Sequence, residues 1–360
     1  MTSLYNAGRF KQDDKFSKDS KQGSNNSMSE LRYNRITGDW VIIAHERSHR
    51  PEEFVSKQNP SDPPAHVADC PFCPGNEDHS ETISTRDRRG SWGVRLVRNK
   101  FPALSPSEDK RKGGTSMRRT MSGFGYHDVV IEHPEHNRWL WRQPANGVTE
   151  VLSVIRDRYL ELSRDPRIEL VVPFKNHGRS AGTSLVHPHA QVVGTPIMSA
   201  DVRRRVWDAV RYYDENSHCL FCAVIDDESD FGERVIHRTK GFVSFIPYAA
   251  LSPFHVLLFP NDHSPDFGLL SDSDLSDFGD HLKTVLGKIE LALLGPDFNF
   301  VIHSVFEGRT DPRTYHWYMS IIPHVSRVAG FEMGSGMFIN PSIPEESAKF
   351  LRESVTTGPR

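Results

Sequence analysis

Ser184-Leu-Val-His187-Pro-His189-Ala-Gln191, running on into Val192-Val193, is the stretch that decides how this 360-residue chain is read. Two histidines two residues apart in an extended segment turn both imidazoles to one face. The apolar pair that follows predicts a strand. One imidazole of such a pair can hold a metal while the other does chemistry.

Working outward, the surroundings of this stretch occur twice. In the first copy, Cys70-Pro-Phe-Cys73 is followed by a strand-like segment at 93–99, the turn-prone Asn99-Lys-Phe-Pro102 and a polar loop over about 105–122. A strand at 128–132 and His136 come next. Apolar residues at Val151, Leu152, Ile155, Tyr159 and Leu162 give a helical period over 149–163, which Asp165-Pro166 stops. A buried-type strand at 168–174 leads to His187 and His189. The second copy keeps the order. Cys219-Leu-Phe-Cys222 opens it, a strand at 255–260 leads to His263, and a helix is predicted over 274–294, ended by Gly295-Pro296. A strand at 298–303 then precedes Tyr315-His316-Trp317-Tyr318. His136 and His187 are 51 residues apart; His263 and His316 are 53 apart. His316 thus aligns with His187, and Tyr318 with His189. The expected fold is α+β: two similar halves, 29–200 and 201–360, sharing one extended, largely antiparallel sheet with helices on one side. Residues 1–28, rich in Lys, Asp, Ser and Asn, read as a disordered tail.

The alignment separates two kinds of residue. Structural zinc takes four nitrogen or sulfur ligands in a tetrahedron. Cys70, Cys73, His136 and His187 make one such set. Cys219, Cys222, His263 and His316 make the other, in which iron is also admissible. One Cys-x-x-Cys pair could be two small buried hydrophobes; two pairs, each followed by histidines in the same order, point to metal. No thioredoxin-like βαβ pattern surrounds them, which argues against redox work. Only the first copy has a second histidine, so His189 is the candidate for chemistry. A neutral imidazole can attack phosphorus and divide one displacement into two. Gln191 could donate to a phosphate oxygen as charge develops. Gly178, Ala181 and Gly182 would let backbone approach phosphates. With a net charge of −3 there is no electrostatic footprint for nucleic acid. No apolar run reaches the roughly 18 residues of a membrane helix, and no signal-peptide core is seen at the start, so a cytoplasmic protein is expected.

The stretch from Asn176 to Gln191 closely resembles the active-site segment of galactose-1-phosphate uridylyltransferases, a branch of the histidine-triad superfamily. Gly38-Asp-Trp-Val-Ile-Ile43, Cys70-Pro-Phe-Cys-Pro-Gly-Asn76, Asn99-Lys-Phe-Pro-Ala-Leu104 and Gly330-Phe-Glu-Met-Gly-Ser-Gly336 agree with it. The resemblance implies transfer of UMP between UDP-glucose and galactose 1-phosphate through a uridylyl-histidine formed on His189, with Gln191 bonded to the phosphoryl group. It implies phosphate contacts from Asn176 and Ser184, a nucleotide side lined by Arg47, Arg50 and Asn99, and a hexose approached by Phe331 and Glu332 from a neighbouring subunit of a homodimer. Arg327 is the residue that would take the role of a hexose-flanking lysine. The first zinc set matches the family's structural site. Cys219 and Cys222 depart from members that build the second site with a glutamate and a His-x-His pair. That departure resembles a plant branch with ADP-glucose phosphorylase activity, so adenylyl transfer to phosphate stands as the alternative. A non-catalytic, zinc-dependent nucleotide binder is the remote alternative; its ligands would be spread too widely for a finger module.

Overall fold

The structure is a computed structural model and describes residues 28–45, 49–55, 62–77, 81–88 and 90–354. The expected tail at 1–28, save Met28, and the candidate Arg47 lie outside the described residues.

Among the described residues fifteen strands form: β1 (Glu30–Asn34), β2 (Asp39–Ile43), β3 (Thr82–Arg88), β4 (Ser91–Arg98), β5 (Lys112–Gly114), β6 (Arg119–Met121), β7 (Tyr126–Ile131), β8 (Leu170–His177), β9 (His189–Thr195), β10 (Val235–Arg238), β11 (Phe242–Phe245), β12 (Val256–Pro260), β13 (Phe298–His303), β14 (Tyr318–Pro323) and β15 (Phe338–Asn340). The same residues form six α-helices: α1 (Ala145–Ser163), α2 (Ala200–Asn216), α3 (Leu220–Phe231), α4 (Asp272–Leu293), α5 (Gly330–Ser335) and α6 (Pro344–Glu353).

Ten strands make one antiparallel sheet in the order β3-β4-β7-β9-β8-β13-β14-β12-β11-β10. Read from the centre outward, the two halves mirror each other: β8 with β13, β9 with β14, β7 with β12, β4 with β11, β3 with β10. The seam is the antiparallel β8–β13 ladder, where His177 faces Phe298 and Phe174 faces Val301. The duplication therefore appears as a two-fold pattern within one continuous sheet.

The periodicity of α1 and α4 is spent on that sheet. Val151, Leu152, Ile155, Tyr159 and Leu162 of α1 meet Leu275, Phe278, Leu282, Val285, Leu286 and Ile289 of α4 in a single apolar cluster. Ser271 caps α4 by accepting the Asp274 N–H, and the helix ends in left-handed backbone at Leu294 and Gly295. α1 starts four residues before the expected 149, because Pro144 sits at its N-cap and Gly147 is tolerated in its first turn.

Two expectations need correction. Helices do not cover one side only: α2 and α3 pack on the opposite face of the second half, where Ala209, Leu220, Phe221 and Ile225 meet Val243, Phe245, Leu257, Phe259 and Tyr318. The corresponding face of the first half carries the Cys70–Cys73 turn instead, with Phe72 against Val97, Val129 and Ile131. The polar loop at 105–122 contains the short β5–β6 hairpin. A further small sheet, β1-β2-β15, stands apart from the large one.

Candidate active site and metal centres

β9 alternates. Ala190 and Val192 enter the core beside α1, so His189 and Gln191 fall on the other face. His189 is the first residue of the strand, opposite Ile131 of β7, and is buried. Its Nδ1 lies 2.8 Å from the His187 carbonyl. A carbonyl only accepts, so Nδ1 carries the proton and Nε2 keeps its lone pair. Burial pushes the His189 pKa down to about 4, the His187 carbonyl opposing and the Lys175 charge assisting that shift. The ring is therefore neutral near pH 7, as a nucleophile must be. The edge of Phe72 packs against it at 5.4 Å between ring centres.

Behind the strand lies a buried ion pair. Lys175 Nζ donates to Glu132 Oε1 at 2.7 Å and to the His189 carbonyl at 3.1 Å. It therefore fixes the backbone at His189. Beyond β8 the chain turns at Gly178, φ +82°, where a Cβ would lie 1.7 Å from the Asp297 carboxylate. That carboxylate accepts the N–H and the hydroxyl of Ser180 at 2.7 and 2.6 Å. Asn299 Nδ2 donates to Asn176 Oδ1 at 2.7 Å, which leaves the Asn176 amide hydrogens as donors. Asn176, Ser184, His187 and His189 line one cavity of about 700 Å³, together with Lys175 and Trp141.

Gln191 is half-buried on the strand face, and its Oε1 lies 2.7 Å from His127 Nε2. The Asn99 amide nitrogen stands 3.0 Å from the same ring nitrogen, and the Ala103 N–H donates to His127 Nδ1 at 3.1 Å. Asn99 thus sits in the wall beside Gln191. His127 is a site residue that sequence reasoning missed. It is one position outside the expected strand, and only the β7–β9 register, His127 opposite Val193, brings it diagonal to Gln191.

Four expected contacts are not built within one chain. Arg50 is exposed before a single 3₁₀ turn at Pro51–Phe54. Arg327 and Phe331 are exposed, and Glu332 caps α5, accepting the Ala329 N–H at 3.0 Å. None of these four lines the cavity with His189.

The metal sets differ in quality. Donor atoms of Cys70, Cys73, His136 and His187 converge, and all four residues are buried. Cys73 Sγ lies 3.5 Å from His136 Nδ1 and 3.6 Å from His187 Nδ1; Cys70 Sγ lies 3.7 Å from His187 Nδ1. Tetrahedral zinc with ordinary bond lengths sets its sulfur and nitrogen ligands about 3.5 Å apart, so the set fits that ion. His187 Nε2–H donates to the His133 carbonyl at 2.8 Å, which turns Nδ1 toward the thiols. In the second set Cys219, Cys222 and His263 converge, with Cys222 half-exposed and His263 exposed. His316 approaches through Cys222 alone, at 3.6 Å, and its buried Nε2 has no hydrogen-bond partner among the described residues. The fourth ligand is thus the loosest.

The second half also shows what became of its counterpart to the His189 site. Tyr318 opens β14 as His189 opens β9. Arg205 of α2 donates to the Tyr318 hydroxyl and to His303 Nδ1, both at 3.1 Å, and His303 stacks on Tyr318. A helix and a guanidinium occupy this face.

Comparison with known proteins agrees with the geometry. The family model for the galactose-1-phosphate uridyl transferase N-terminal domain matches residues 16–199. The chain is 37% identical over 338 residues to the ADP-glucose phosphorylase of Arabidopsis thaliana, covering 91% of this chain and 93% of that one. It is 26% identical over 340 residues to the galactose-1-phosphate uridylyltransferase of Thermotoga maritima, covering 91% and 99%. Among solved structures, an Arabidopsis thaliana ADP-glucose phosphorylase with bound ADP-glucose superposes with a TM-score of 0.78 at 34% identity, over 92% of this chain and 100% of that one.

Proposed function

The chain belongs to the galactose-1-phosphate uridyl transferase family, and from that premise we propose that it is a hexose-1-phosphate nucleotidyltransferase working through a covalent nucleotidyl-histidine on His189. The observation that carries this reading is the state of that ring: neutral, with Nδ1–H held by the His187 carbonyl and Nε2 left with its lone pair. In the first step Nε2 attacks the α-phosphorus of a nucleoside diphosphate glucose. The bond from that phosphorus to the bridging oxygen breaks, and the electron pair leaves with glucose 1-phosphate. The positive charge gained by the ring is shared with the His187 carbonyl through Nδ1–H. In the second step an oxygen of an acceptor phosphate attacks the same phosphorus, the P–N bond breaks, and His189 regains its lone pair. Gln191 donates its amide hydrogens to the phosphoryl oxygens, and Asn176 and Ser184 take the other phosphate.

Zinc in the Cys70, Cys73, His136, His187 set would cross-link the turn before β3 to the segment that ends at His189; its contribution is structural. The second set would hold zinc, or iron, at the end of the second half. Arg327 and Phe331, exposed in one chain, and the half-buried Glu332 are offered to a hexose in the site of a second subunit of a homodimer. Among the described residues no helix is long and apolar enough to cross a membrane; a cytoplasmic setting fits a sugar-phosphate substrate.

ADP-glucose with inorganic phosphate as acceptor is the first choice of substrates. The 37% identity to a phosphorylase, against 26% to a uridylyltransferase, supports it, as does the Cys219–Cys222 pair. UDP-glucose with galactose 1-phosphate is the second, favoured by the Ser184-to-Gln191 segment. Intact-protein mass spectrometry after brief incubation without acceptor separates them. A gain of one AMP from ADP-glucose, absent in His189→Gly, is the expected result; a gain of one UMP from UDP-glucose moves the reading to uridylyl transfer. No adduct from either would remove the covalent mechanism.

A further inference from the structure

We propose that His127 is a positioning residue that sets which end of the Gln191 amide faces the transferred phosphoryl group. The inference rests on the nucleotidyl-histidine reading above. Its basis is the ring's tautomer: Asn99 Nδ2 and Gln191 Oε1 both face His127 Nε2, at 3.0 and 2.7 Å, and the partner of the other ring nitrogen decides between them. The Ala103 backbone N–H can only donate, and it reaches His127 Nδ1 at 3.1 Å. Nδ1 therefore accepts, and the neutral ring carries its proton on Nε2. That N–H points at Gln191 Oε1 across 2.7 Å. With the carbonyl end held, the amide NH₂ is turned the other way, and it makes no hydrogen bond to another described residue. Without His127 the amide could rotate by half a turn and present oxygen to a phosphate, which repels it.

A second observation carries the same point independently. The other half of the sheet keeps the arrangement. His255, just before β12, lies 2.6 Å through Nε2 from the hydroxyl of Ser320. Ser320 is two residues past Tyr318, as Gln191 is two past His189. β12 pairs with β14 as β7 pairs with β9. A histidine on the neighbouring strand, reaching the residue two beyond the strand opening, is thus part of the duplicated unit. In the first half it acts on a phosphoryl donor.

The test is a double-mutant cycle on single-turnover nucleotidylation of His189, using ADP-glucose or UDP-glucose, whichever labels the wild-type protein. His127→Leu is expected to slow adduct formation by roughly 100-fold, the lower end of what losing one oxyanion donor costs. Gln191→Ala should slow it by as much, and the double variant no further. His127→Gln, which keeps an N–H near Nε2, should recover most of the rate. Melting temperature and metal content are measured for each, so that a folding defect in His127→Leu is recognised and His127→Gln then decides. Additive losses in the double variant, a wild-type rate in His127→Leu, or a folded His127→Gln as slow as His127→Leu would each overturn the proposal. A wild-type protein that takes no label at all would instead remove the covalent reading on which it rests.

Discussion

At the residue scale the site is organised by groups that give or withhold one hydrogen bond. The Lys175–Glu132 pair is the most exacting. Both side chains are buried, and Glu132 Oε2 has no partner among the described residues. Burial alone would push the Glu132 pKa up and that of Lys175 down, and each restrains the other. Lys175→Met should therefore cost about 3–5 kcal/mol, the penalty for stranding one member of a buried pair. Adding Glu132→Gln should recover part of it. Urea unfolding checks both, and a single-variant loss under about 1 kcal/mol would contradict the assignment, since an exposed pair contributes no more than that. His189 and Gln191 were legible as a pair because a two-residue spacing survives any register. Lys175 and His127 were not: their meaning comes from what the neighbouring strands place beside them. Arg50, Arg327, Phe331 and Glu332 came from resemblance alone, and one chain does not gather them around His189.

At the element scale the two Cys-x-x-Cys segments show how one motif is built in two ways. The first is a turn clamped over β4 and β7; the second is the start of α3, with Cys219 at its N-cap. The first set is buried and its His187 is held from behind, whereas the second presents Cys222 and His263 to solvent and leaves His316 Nε2 unpartnered. A chelator should accordingly strip the second set first, about tenfold faster or more, given what outer hydrogen bonds contribute to metal affinity. Metal analysis during chelation follows this directly. Equal release, or loss from the first set first, would show that the geometry does not rank the sites. Strands β4, β7, β8, β9, β12 and β13, with α1 and α4, were readable to within a few residues because their apolar residues are spent on the sheet and its core. α2 was not readable: Ala209 is its one fully buried residue, and its Arg-rich surface hides the contact. Nothing in the helical period of α1 or α4 says that a second layer covers the opposite face of one half alone.

At the scale of the whole molecule we propose that 29–200 and 201–360 are halves of one folding unit, since β8–β13 and α1–α4 both cross between them. Two buried histidines, His255 and His281, report on that unit. Burial holds their pKa values near 4 and 3, against an ordinary 6.5. The folded state keeps them neutral, and the unfolded chain protonates them below pH 6.5. Their contribution to stability is whole above pH 6.5 and is lost as pH falls toward 4. Two protons correspond to a slope of about 2.7 kcal/mol per pH unit in that window. Urea unfolding at stepped pH should show at least that slope in one cooperative transition. A flat profile would refute the burial argument, and two separate transitions would divide the halves.

The guanidinium of Arg205, lodged between Tyr318 and His303, has a consequence for stoichiometry. A sheet with two-fold symmetry offers two equivalent berths, yet one is stoppered by the chain's own helix. Calorimetric titration of one subunit with nucleoside monophosphate should therefore saturate at a single equivalent, and a second equivalent would mean that α2 lifts away.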